Sequence, residues 1–150
     1  MFILLDTGPL GTLINPNPTR KTREIQLWMR TQLAKGIKMK VPEIADYEER
    51  RNLILENSTN AINNLDALKT SIGYIPLTTD MMLKAAELWA DVRRLGLPTA
   101  PKEALDGDVI LAAQAIDVPM NKRNDGPCLA HRQVDTLLPE YQPQTKIRLR

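Results

Sequence analysis

Residues 2–5 are Phe-Ile-Leu-Leu, followed at once by Asp6 and by Thr7-Gly8-Pro9, through which no strand can continue. Four consecutive apolar residues suit a short strand buried on both faces rather than one with a wet side. A carboxylate placed where such a strand ends is costly unless something nearby uses it. Asp6 is open to three readings: a metal ligand, a catalytic aspartate of another kind, or the cap of the turn that follows.

The rest of the chain alternates between two periodicities. After a Pro- and Asn-rich loop at residues 15–19, Ile25, Trp28, Met29 and Leu33 recur at helical spacing, and Gly36 ends the helix. Residues 37–41, Ile-Lys-Met-Lys-Val, alternate as a strand does. Pro42 opens a helix over 43–56 with acids gathered early, a further helix covers 61–72, and 73–78 read as a strand. The clearest helix spans 79–96: Thr79 or Asp80 caps it, Met82, Ala85, Ala86, Trp89 and Val92 line one face, and Gly96 closes it. Residues 97–104 form a loop with two prolines, and 105–116 form a helix apolar enough to be largely buried. Strands alternating with helices predict an α/β domain whose parallel sheet is covered on both sides. Ligands in such sheets bind outside the carboxyl ends of the strands, which is where Asp6 stands.

At 150 residues, 43% hydrophobic and 25% charged, the chain suits one globular domain with a sizeable core. No apolar run reaches the roughly 20 residues of a membrane span, and no basic leader precedes the first apolar run, so the expectation is a cytoplasmic chain without a membrane segment. A lone cysteine, Cys128, and a lone histidine, His131, exclude a disulfide framework and a zinc site of several Cys and His ligands. A metal would have to be held by oxygens. Residues 1–116 carry 14 basic and 14 acidic residues, whereas 117–150 carry six basic against four acidic and include four prolines. The expected organisation is a domain at 1–116 followed by an atypical basic tail at 117–150.

Asp6 ends a strand, Glu48 lies one to two turns inside the helix after the second strand, and Asp106 and Asp108 stand at the start of the helix at 105–116. An alternating α/β fold can bring all of these to one end of the sheet. Clustered carboxylates repel and raise each other's pKa unless a cation neutralises them, and Mg²⁺ or Mn²⁺ is the hard ion that carboxylate oxygens prefer. Each acid also has a plainer reading. Asp6 caps a turn, Glu48 is one solvated acid among Glu43, Asp46 and Glu49, and Asp106 and Asp108 answer a helix dipole. Arg50, Arg51, Arg93 and Arg94 read first as parts of solvated helix faces, and they are also the basic residues best placed to meet phosphate.

The ordered combination resembles the PIN-domain family, in particular the VapC-like toxins of bacterial toxin–antitoxin pairs. The stretches that carry the resemblance are LLDTGPLGTLI, VPEIADYEERRNLI and LDGDVILAAQAI, within residues 1–116. By position the family's acids fall on Asp6, Glu48 and Asp108, with Asp106 an adjacent acid that assists and Glu43 the fallback for Glu48. The resemblance implies a three-layer α/β/α domain with a central parallel sheet. It also implies a Mg²⁺- or Mn²⁺-dependent endoribonuclease that hydrolyses RNA through metal-activated water, a small antitoxin protein as partner, and a homodimer.

The match stops after residue 116. The family continues with a strand beside strand one and a polar segment that adds to the metal site; here residues 118–127 carry prolines and a polar run that make a poor strand, and Asp125 and Asp135 lack the family context. The expectation is that the C-terminal strand is missing or degenerate. Residues 131–137, read one nucleotide later with permitted codons, encode Thr-Asp-Lys-Leu-Thr-His-Phe, which looks like the missing segment and suggests a tail out of frame. A broken C-terminus favours the alternative of a degenerate, non-catalytic relative that binds an antitoxin or RNA without cutting. Asp-Thr-Gly after two apolar residues also resembles the aspartic-protease loop, but that fold is almost all β and this chain is rich in helices.

Overall fold

The computed structural model describes residues 2–94, 102–117 and 128–131. β1 (Phe2–Leu5) runs into α1 (Thr7–Ile14) and α2 (Arg20–Ala34); β2 (Lys38–Pro42) runs into α3 (Glu43–Leu55) and α4 (Thr59–Ile72). Then follow β3 (Tyr74–Ile75), α5 (Thr79–Arg94), α6 (Lys102–Asp117) and β4 (Cys128–His131). The strands form one sheet in the order β3-β2-β1-β4, and every pairing is parallel. All four therefore end on the same side, with Asp6 after β1 and Glu43 after β2.

The continuous apolar run of β1 is explained by its central position. Phe2 and Leu4 join Ile44, Ile75, Met81, Ala85, Val109, Leu111 and Ala113, while Ile3 and Leu5 point the other way, against Met39 with Leu13, Trp28 and Met29. A third cluster of Leu10, Ile14, Val41, Ala45, Leu53, Ala61 and Leu65 packs α1, α3 and α4 together over β2. Both sides of β1 are thus covered by apolar residues from helices, as the strand–helix alternation predicts.

Several details differ from the sequence expectations. Residues 7–14, to which the sequence pattern assigned no element, form a helix; Pro9 falls in its first turn, where the missing N–H costs nothing. In α5 the buried residues are Met81 and Ala85, with Leu88, Trp89 and Val92 beside them, while Met82 is 45% exposed. The helix is capped by Thr78, whose Oγ1 accepts the Met81 N–H at 3.2 Å; its apolar stripe starts one residue earlier than expected, at Met81. The closing role given to Gly96 lies outside the described residues. α6 starts at Lys102, one residue after Pro101, which puts Asp106 and Asp108 in the second turn, beyond the reach of a helix-end dipole reading.

The expected absence of a neighbour for β1 is corrected by β4. Cys128–His131 pairs with β1 along its length, Phe2 with Cys128 through Leu5 with His131. The strand comes from the segment set apart by composition, downstream of the Pro-rich stretch that made 118–127 look unfit. Asp125, Asp135 and most of the segment read in a shifted frame lie outside the described residues. Leu4, fully buried in the central strand, measures how much the sheet depends on this core. Leu4→Ala should lower the unfolding free energy by about 2–5 kcal/mol in a urea titration.

Candidate functional site

Asp6 meets two neighbours through Thr7. Its Oδ1 accepts the Thr7 backbone N–H at 2.7 Å, the bond of an N-cap to α1, so the plain capping reading is true of this residue. The Thr7 hydroxyl lies 3.2 Å from the same oxygen and 2.7 Å from Glu48 Oε2 on α3. One hydroxyl carries one proton, and it sits between two carboxylates from elements 41 residues apart. Thr7 therefore ties the end of β1 to the middle of α3.

Glu48 is held from the far side by α6. A methyl group added at Gly107 would overlap Glu48 Oε1, so the glycine leaves the space that the carboxylate occupies. Asp108 follows Gly107 directly and acts on Asp6 through its charge. Burial pushes the Asp6 carboxyl above its ordinary value; the two bonds from Thr7 pull it down, and the charges of Glu48 and Asp108 push it up again. Asp6, Glu48 and Asp108 thus lie within electrostatic reach at the carboxyl end of β1, Glu48 through Thr7 and Asp108 through its charge. Asp106 is exposed on α6, one position before Gly107.

The other acids of α3 have different tasks. Glu43 accepts the backbone N–H of Leu77 beyond β3, an anchoring contact away from Thr7. Asp46, 7% exposed, is no solvated acid: it accepts from Arg50 at 2.8 and 3.2 Å and pairs with Lys69 at 3.2 Å. Arg50 also binds Asp66 on α4, and these two aspartates hold its guanidinium firmly protonated. Glu49 is half-buried, and a Cβ at Gly11 of α1 would stand 2.8 Å from its Oε1; burial, then Glu48 and Glu56, raise its pKa. Thr7, Gly107 and Glu49 were not singled out in the sequence. A hydroxyl beside Asp6 was the one local signal available, since a glycine's packing partner depends on tertiary contact.

Among the described residues no three His, Cys, Asp or Glu side chains stand close enough to hold an ion as they are, so the carboxylates form an open cluster and not a closed cage. Their chemistry fits a hard cation nonetheless. The donors are all oxygens, and a buried Asp6 among like charges is what a divalent ion relieves.

No family model matches the chain, and no curated protein matches it. A solved structure does, that of VapBC2 from Rickettsia felis bound to a DNA fragment from their promoter, with a TM-score of 0.61 and 18% identity. The alignment covers 77% of this chain and 81% of the matched one. The fold is VapC-like. That likeness in fold agrees with the PIN-domain resemblance. None of the described helices is long and apolar enough to cross a membrane.

The Asp6 shift has a signed consequence. With its folded-state pKa raised, Asp6 favours folding below its unfolded pKa and loses that contribution as pH rises through the folded value. Asparagine keeps the cap without the charge. In metal-free buffer Asp6→Asn should melt above wild type at pH 7, with the gap closing on acidification through the Asp6 titration; equal melting temperatures across that range would refute the electrostatic account.

Proposed function

We propose that the chain is a metal-dependent endoribonuclease of the VapC toxin kind, built as a three-layer α/β/α domain and hydrolysing RNA phosphodiester bonds with Mg²⁺ or Mn²⁺. The observation that carries the reading is the convergence of Asp6, Glu48 and Asp108, from three separate elements, on the carboxyl end of the central strand. These three carboxylates would hold the ion, with Asp106 assisting from α6. Bound there, the ion would activate water and offer positive charge to the phosphate. Thr7 orients Glu48 and Asp6 by its shared hydroxyl, and burial strips water from Asp6.

An acidic site must still admit an anionic substrate, and the four arginines differ in what they have left to offer. Arg50 is occupied by Asp46 and Asp66, and Arg94 pairs with Asp91 at 3.1 Å. Arg93 stacks on Trp89. Arg51, one turn after Glu48, stacks on the exposed Tyr47 ring at 5.5 Å and pairs with no carboxylate among the described residues. Arg51 is our choice for the phosphate contact beside the site. A small antitoxin and a second copy of the chain are the proposed partners, supported by the fold of the VapBC2 structure. The non-catalytic alternative drew its support from a broken C-terminus; β4 supplies a strand beside β1 and so answers the part of that argument that concerns the sheet.

The test is an RNA-cleavage assay with Mg²⁺ or Mn²⁺. Wild type should cut, and Asp6→Asn and Asp108→Asn should each lose on the order of 10² or more in rate, as expected when a charge-stabilising group is removed. An inert wild type, or variants that cut as well as it does, would overturn the reading.

A further inference from the structure

We propose that Gln114 is a positioning residue, which sets the Glu48 carboxylate in the site by fixing α6 against α3. The inference deepens the metal-site reading and rests on it only for its metal readout.

Gln114 lies on α6, fully buried among the core residues of that helix. Its Oε1 accepts the Ile44 backbone N–H at 3.3 Å, and its Nε2 donates to the Ile75 carbonyl at 2.8 Å. Ile44 sits in the first turn of α3, where backbone N–H groups have no partner inside the helix, and the cap residue Pro42 makes no side-chain bond. Ile75 is the last residue of β3. One carboxamide therefore joins α6, the start of α3 and the end of β3. The position needs a donor and an acceptor on one side chain: an ionised glutamate only accepts and methionine supplies no donor.

The contact is linked to the site by helical periodicity. Ile44 and Glu48 are four residues apart and share a face of α3; Gly107 and Gln114 are seven apart and share a face of α6. The two helices thus meet along one seam with Gln114 against Ile44 at one end and Gly107 against Glu48 at the other. Turning α6 by one residue would rotate it about 100° and break both contacts together. The ion pairs of Asp46 with Arg50 and Lys69, and of Arg50 with Asp66, tie α3 to α4, and none of them reaches α6. The apolar packing of Ile44 with Val109, Leu111 and Ala113 holds α6 against α3, and the buried amide adds the directional contact that favours one register, and with it the place of Gly107 and Asp108 beside Glu48.

The experiment compares Gln114→Met, Gly107→Ala and their double variant in the full chain, with Ile25→Ala on α2 as a control for general loss of stability. In metal-free buffer the side-chain carboxyl ¹³C resonance of Glu48, assigned by its disappearance in Glu48→Gln, should move in Gln114→Met and in Gly107→Ala and stay at its wild-type position in the control. Mn²⁺ affinity should fall about 10- to 100-fold in each single variant, the range for residues that orient metal ligands. The double variant should bind no worse than the weaker single, because both changes act on the same carboxylate. If Gln114→Met does not fold, Gln114→Asn, with the amide one methylene shorter, should shift the resonance in the same way. An unmoved Glu48 resonance in a destabilised Gln114 variant would overturn the proposal, as would losses that multiply in the double variant. If the resonance moves and wild type binds no Mn²⁺, the positioning role stands and the nuclease reading falls.

Discussion

Asp6 is a partly desolvated carboxylate at the end of a central strand, and much of the surrounding structure answers it. A lone charge there would be costly, and adding Glu48 and Asp108 nearby makes it costlier. The chain retains all three and spends the Thr7 hydroxyl, the α1 N-terminus and the close approach at Gly107 to hold them. That pattern opposes stability in the free protein and would become favourable with a cation bound. The same feature thus bears on folding, on pH and on chemistry.

Glycine has a similar use at two places. Gly107 admits Glu48 and Gly11 admits Glu49, so neighbouring acids on α3 reach toward α6 and α1 respectively. On its other side α3 is tied by Asp46, Arg50, Asp66 and Lys69, which removes Arg50 from the charges available to a substrate. The helix is therefore held from α1, α4 and α6 while its Tyr47–Arg51 face remains exposed.

The apolar run at 2–5, the alternation at 37–41 and the helical spacings at 43–56 and 105–116 were enough to anticipate a parallel α/β sheet with Asp6 at its carboxyl end, while the choice of Glu48 and Asp108 as its companions came from the family resemblance. α1 was hidden because Gly8, Pro9 and Gly11 read as breakers, although a proline in the first turn is harmless. β4 was hidden because four residues between a polar stretch and a basic one carry too weak a pattern to register. Met81 and Met82 are chemically alike, and it is the packing of α5 on the core, with Met81, Ala85, Leu88 and Val92 on one face, that buries the first and not the second. Glu43 and Glu48 are likewise indistinguishable in composition; the Leu77 amide claims one and Thr7 the other. The positions of Gly107 and Gln114 depend on how α6 lies on α3, a relation between residues more than 50 apart that no local pattern encodes.

The central claim is that Asp6, Glu48 and Asp108 act as one cation site. A Mn²⁺ titration followed by electron paramagnetic resonance, on wild type and on Asp6→Asn, Glu48→Gln and Asp108→Asn, tests it most directly. The account predicts saturable binding by wild type and a marked loss of affinity in each of the three variants. Binding of equal strength in all four proteins, or none in wild type, would contradict it.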